Sequence, residues 1–309
     1  MTCKHFVLSA IVVAMLLCAA SPGFAGSVSL GSAQSFAVLG ASTVTNDHSD
    51  PNPTTQVYGN LGVTPGTSVT GFSGVYPDGT VSGGTIHLND GVAQTALADA
   101  TTAYNTLAGL SSAHDLTGQD LAGLTLTPGV YHFDSSAGLT GALTLDFLGN
   151  PDADFVFQIG STLTTASGSS VNVINGNSLS GVYWQVVSSA TLGSDTTFAG
   201  NILALVSVTL DPTAEILCGR AIALTGAVTL IDNLISNNNS LQDFGSERSD
   251  FGSYGSAAAA PRSRNRSPSA VWPSAWEVFV VTSAAANLWP AVQDEIRCRV
   301  RTGRLVGAA

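Results

Sequence analysis

Apolar and polar residues along this chain follow two different periods. One segment has the helical period. Val92, Ala96, Ala100, Ala103/Tyr104 and Leu107 recur every three to four residues, with Gln94, Asp99 and Thr102 on the opposite side. Asn89 or Asp90 can cap its start and Gly109 marks its end, which predicts one helix near 90–109. Almost everything else between Ser29 and Ser236 has period two, in short runs broken by Gly, Pro, Asn and Asp. Examples are Phe36-Ala37-Val38-Leu39, Gly59-Asn60-Leu61-Gly62-Val63, Val130-Tyr131-His132-Phe133 and Leu143-Thr144-Leu145-Asp146-Phe147. These read as strands.

Two of the runs repeat nineteen residues apart: Gly200-Asn201-Ile202-Leu203-Ala204-Leu205 and Gly219-Arg220-Ala221-Ile222-Ala223-Leu224. Each leads to a Thr-Leu pair, Thr209-Leu210 and Thr229-Leu230. A short apolar phrase returning at such a period is the signature of a solenoid, whose coils bury their apolar sides only by stacking. The predicted fold is a mainly β chain, a β-solenoid with the one amphipathic helix lying along its side. One domain, 26–240, holds it.

Two sets of columns are candidate outer surfaces. Aligning Phe157-Gln158-Ile159, Trp184-Gln185-Val186, Leu203-Ala204-Leu205 and Ile222-Ala223-Leu224 places the large flanking residues inward and Gln158, Gln185, Ala204 and Ala223 outward. Extending the alternation adds Val156, Tyr183, Ile202 and Ala221 on one side, and Val187, Val206 and Thr225 on the other. A second column is Thr162, Thr191, Thr209 and Thr229, each followed by an inward Leu. Such a threonine ladder is compatible with a purely structural role, because Thr favours strands and stacks on itself.

Composition changes the picture at both ends. Lys4, the apolar run Phe6–Ala20 and Gly23-Phe24-Ala25 form a secretory signal over residues 1–25, so the protein is expected outside the cell or held at its surface. Beyond about residue 240 the alternation stops and eight arginines appear, so 241–309 reads as a disordered or atypical tail. Its apolar stretch Val271–Pro290 leaves a sorting signal open. With the signal removed only Cys218 and Cys298 remain, which gives no disulfide framework and leaves their pairing open.

Charge excludes several functions. From Gly26 to Ser240 there are fifteen acidic residues and one basic residue, Arg220, a net charge near −14. Such a surface cannot neutralise phosphates, so nucleic acid is excluded and adsorption to anionic membranes is disfavoured. The five histidines, His5, His48, His87, His114 and His132, lack metal-ligand spacing, so no metal or other cofactor is expected. A solenoid polysaccharide lyase would need clustered carboxylates and a strand base. Asp152 and Asp154 follow turn residues Gly149-Asn150-Pro151, and the only strand cation is Arg220. The chain is therefore read as non-enzymatic and monomeric.

Taken in order, Phe36–Leu39, Gly59–Val63, the helix near 90–109, Leu124-Thr125-Leu126-Thr127-Pro128-Gly129-Val130-Tyr131, Phe155–Ile159, Val182–Val186 and Gly219–Leu224 resemble the secreted microbial ice-binding (antifreeze) proteins. The resemblance covers nearly all of 27–236. It implies a right-handed discontinuous β-solenoid with three faces, one under the helix and one flat face that meets ice. It also implies that the strands carrying Gln158, Gln185, Ala204 and Ala223 build the ice face. Ice growth or recrystallisation would then be inhibited without chemistry. The alternative role for the same fold is adhesion at the cell surface or in a matrix.

Overall fold

The structure is a computed structural model and describes residues 28–47, 55–73, 78–150, 153–176 and 181–237. The signal segment, the tail from 241, His48, Asp152 and Cys298 lie outside the described residues. All the named strand pairs are parallel, and they stack into a right-handed discontinuous β-solenoid. Three faces run its length.

The first face joins, in spatial order, His114–Asp115, Gly129–Phe133, Asp154–Ile159, Gly181–Val186, the second half of Thr197–Ala204, the second half of Glu215–Ala223, Phe36–Gly40, Asn60–Val63 and Ile86–Leu88. The second joins Ala137–Leu139, Leu163–Thr165, Ala190–Leu192, Val208–Leu210, Val228–Leu230, Thr43–Asn46 and Ser68–Thr70. The third runs from Thr125–Leu126 to Thr80–Ser82.

The order is not the chain order. The chain starts inside the stack, where Val38 pairs with Ala221 and Val44 with Val228. It winds outward to Ile86–Leu88. The helix Gly91–Ala108 then carries it to the far end, and the later coils stack back until the last docks on the first. The helix begins where expected: the Asp90 side chain accepts the Ala93 N–H at 2.9 Å. Its buried side is Ala93, Ala96, Ala100, Ala103, Tyr104 and Leu107. Val92, assigned to that side from periodicity, is exposed instead. The alanines let the helix axis approach the sheet closely.

Two apolar layers result. Inside the coils, Tyr131, Phe157 and Trp184 stack on successive rungs, the Phe157 and Trp184 rings 3.9 Å apart, and the Trp184 indole donates to Ala199 O at 3.1 Å. Between the first face and the helix lies a second layer that includes Val156, Tyr183, Leu203 and Ile222. The repeated glycines mark a corner. A Cβ on Gly219 would stand 2.0 Å from the Gly200 carbonyl oxygen, and Gly200 has φ 103°. Beside them the buried Arg220 donates to Asn201 Oδ1 at 2.7 Å and to Gln34 O, tying the last coil to the first.

Candidate functional site

The Gln/Ala columns are not an outer surface. Ile202, Ala204, Ala221 and Ala223 point into the solenoid core. Trp184 pairs with Ile202, eighteen positions on, whereas Ile202 pairs with Ala221, nineteen on. The rung therefore aligns Gln158, Gln185, Leu203 and Ile222, and the sequence alignment slips by one residue at the third coil. A slip of one sends every side chain to the opposite side. Size was a misleading guide to direction because this face is buried on both sides, so large residues occupy both alternations.

Gln158, Gln185, Val156 and Tyr183 do point outward, but the helix and the N-terminal segment cover them. Gln158 Nε2 donates to Leu107 O and Leu110 O, each at 2.8 Å, which satisfies carbonyls at the helix C-terminus. The Tyr183 hydroxyl donates to Val28 O at 2.6 Å. Gln185 is the side-chain partner of Tyr104, whose phenol is pushed above its usual pKa by burial. Asp99 on the helix accepts the Ser32 N–H at 2.7 Å. Of the eleven residues assigned to the Gln/Ala face, only Val187, Val206 and Thr225 are exposed, and they lie on the ridge where the first face turns into the second.

The second face has a solvent side, and it is regular. One outward column is Gly138, Thr164, Thr191, Thr209, Thr229, Thr45 and Thr70. Six successive rungs thus present threonine. Two residues earlier on each strand is a companion column: Ser136, Thr162, Ser189, Ser207, Ala227, Thr43 and Ser68. Thr191, Thr209 and Thr229 lie where the sequence places them. Thr162 belongs to the companion column, and Thr164 takes its place beside Thr191. Thr45, Thr70 and Thr164 escape a search for Thr-Leu pairs, because the next residues are Asn46, Gly71 and Thr165. The preceding inward residue is the better signal: Val44, Val69, Leu163, Ala190, Val208 and Val228 all precede a column threonine.

Hydrogen bonding separates the two columns over the rungs from Ser136 to Ala227, whereas the companion hydroxyls of Thr43 and Ser68 have no protein bond among the described residues. In the companion column, Thr162 Oγ1 donates to Ser136 Oγ at 2.9 Å, Ser189 Oγ accepts the Ser207 N–H at 3.4 Å, and Ser207 Oγ accepts the Ala227 N–H at 3.3 Å. Within the described residues, none of the hydroxyls of Thr164, Thr191, Thr209, Thr229, Thr45 and Thr70 bonds to protein. Each is left for water, beside its own methyl group. Rungs stand about 4.8 Å apart and outward neighbours on a strand about 6.7 Å, so the six-rung array is about 24 Å long. Neither column contains an ionisable side chain.

Comparison with known proteins places this architecture. Residues 38–236 match the ice-binding-like family. The chain belongs to that family. It is 54% identical over 208 residues to an ice-binding protein of Nostoc sp. (strain HG1), covering 67% of this chain and 73% of the relative. Among solved structures it is similar to an ice-binding protein from an Antarctic biological consortium, with TM-score 0.62 and 43% identity over 68% of this chain and 90% of the other. The ice-binding protein of the ascomycete Antarctomyces psychrotrophicus gives TM-score 0.60 and 37% identity, covering 68% and 98%. An ice-binding-like solenoid with one unadorned hydroxyl face fits the geometry above.

Proposed function

We propose that this protein binds ice crystals outside the cell through the threonine face of its second sheet, and that it slows ice growth or recrystallisation without enzymatic chemistry. The observation that carries the reading is the column Thr164–Thr191–Thr209–Thr229–Thr45–Thr70, whose hydroxyls have no protein partner among the described residues. Every rung offers a methyl group and a hydroxyl at a fixed interval on a rigid sheet. Waters over such an array meet the same environment rung after rung and adopt one repeating arrangement. Each contact is weak, but the backbone is already ordered by its ladder bonds, so little conformational entropy is lost on binding. The absence of charge also matters, because a bound ion shell would disrupt a lattice of ordered water.

The test is ice-affinity partitioning with Thr209→Tyr. The ring would stand above the middle of the array without entering the core. Partitioning into the ice fraction and recrystallisation inhibition are both expected to drop to the level of an inert protein, with the circular dichroism spectrum unchanged. Full partitioning of Thr209→Tyr would remove this face from consideration.

A further inference from the structure

We propose that the end of the solenoid formed by Ser68–Thr70, Thr80–Ser82 and Ile86–Leu88 is an interface for a second copy of this chain. These three strands are the last rungs of the three faces, and among the described residues each has a neighbour on one side only. Their inward residues continue the core columns: Val69 follows Val44, Val81 follows Val57, Ile86 follows Leu61 and Leu88 follows Val63. Leu61 and Val63 are fully buried, but Ile86 is 38% and Leu88 51% exposed, with Val92 of the first helical turn 48% exposed beside them. The first-face columns of the core are open here, while Val69, Phe72 and Val81 stay half-buried against it. At the opposite end Leu121 is fully buried and Leu116, Leu124 and Leu126 are half-buried against the same core, with no counterpart to the exposed Ile86 and Leu88 among the described residues. An open terminal coil is costly for a repeat protein, because its apolar side and its backbone edges both lack partners.

The occupant follows from shape. Three strand edges stand at the three sides of one cross-section around an apolar centre. A single peptide strand would cover one edge. A second copy presents the same three edges and the same centre. A two-fold axis normal to the threonine face, the commonest oligomer symmetry, reverses the partner's strands and exchanges its first and third faces. All three edges then meet in antiparallel fashion around a joined core. None of the nine strand residues is Lys, Arg, Asp or Glu, so no like charges face each other along the paired edges. This departs from the monomer expected on sequence grounds. It also sets two threonine planes side by side, a consequence that rests on the functional reading above, whereas the interface does not.

The experiment is sedimentation equilibrium of the full chain, C-terminal segment included, over a range of concentrations. A reversible dimer is expected. Leu88→Lys should lower the weight-average mass twofold, with unchanged circular dichroism. Val92→Glu, a helix-surface change that keeps every strand residue, should do the same. Ile174→Lys, at an exposed apolar position on the third face, should leave the dimer intact. A monomer at every concentration, or a dimer that survives both Leu88→Lys and Val92→Glu, would overturn the proposal. Neither result depends on whether the protein binds ice.

Discussion

The first and second faces are built from the same coils, at the same rung spacing, with the same parallel pairing. They differ in what stands outside them. On the first face the outward residues are Val156, Gln158, Tyr183, Gln185, Leu203 and Ile222, and the helix and N-terminal segment bury all of them. On the second face the outward residues are threonine and serine apart from Gly138 and Ala227, and nothing described covers them. A β-solenoid has more sheet than it can leave bare, so this chain spends one face on packing. The covered face takes large residues and glutamines that satisfy helix carbonyls. The bare face takes small hydroxyl-bearing residues of high strand propensity, which remain soluble without long charged side chains. Uniformity alone therefore does not identify a binding face. A covered face can be just as regular.

The sharpest way to break the comparison is to make the same change on both sides of it. Ala204 is fully buried in the core and Thr209 faces solvent. Ala204→Tyr forces a ring and a hydroxyl into filled space and should destabilise by about 3 kcal/mol or more, a large share of a typical domain's stability. Thermal unfolding and loss of near-ultraviolet circular dichroism would report it. Thr209→Tyr should change stability by only about 0.5 kcal/mol, as a surface change does. If Ala204→Tyr unfolds like wild type, the register that places Ala204 inside is wrong.

A weaker perturbation sharpens what the covered face is for. Gln158→Leu keeps the apolar stem but removes both hydrogen bonds to Leu107 O and Leu110 O. Two carbonyls near the helix C-terminus then lose a buried donor, at a cost of about 1–3 kcal/mol. Hydrogen exchange should quicken in the last turns of the helix while ice partitioning of the folded protein stays at the wild-type level. A parallel loss of ice partitioning would mean that the helix side takes part in binding.

Much of this was legible in the residues. The helix stood out because its period differs from everything around it, and Asp90 caps it as its position suggests. The solenoid stood out because Gly200 and Gly219 stack at a corner that admits no side chain, fixing a nineteen-residue phrase. Register was legible only where one side is wet. Thr191, Thr209 and Thr229 were aligned correctly because the inward Leu and outward Thr contrast. Across Trp184-Gln185-Val186 and Ile202-Leu203-Ala204 both sides are dry, the contrast vanishes, and an eighteen-residue coil passes for a nineteen-residue one. The discontinuity itself, with the first coil inserted after the last, leaves no local trace. It is held by long-range contacts such as that of Arg220 with Gln34 O.

The smallest expected effect lies within the bare face, between its two columns. Ser207 Oγ accepts the Ala227 N–H, whereas Thr209 Oγ1 has no protein partner among the described residues. Ser207→Ala removes a structural bond and should cost about 1 kcal/mol of stability, since the amide loses its acceptor. Its effect on ice should be slight, because that hydroxyl was already committed to the backbone. Thr209→Ala removes a hydroxyl and a methyl group that serve only the water above them. It should lower recrystallisation inhibition measurably but partially, since the five other threonines of the column remain. The ordering of the two variants is therefore opposite in the two measurements: Ser207→Ala is the less stable, Thr209→Ala the less active. Equal loss of activity in both would mean that the two columns contribute alike, and that freedom from protein hydrogen bonds is not what selects the threonines.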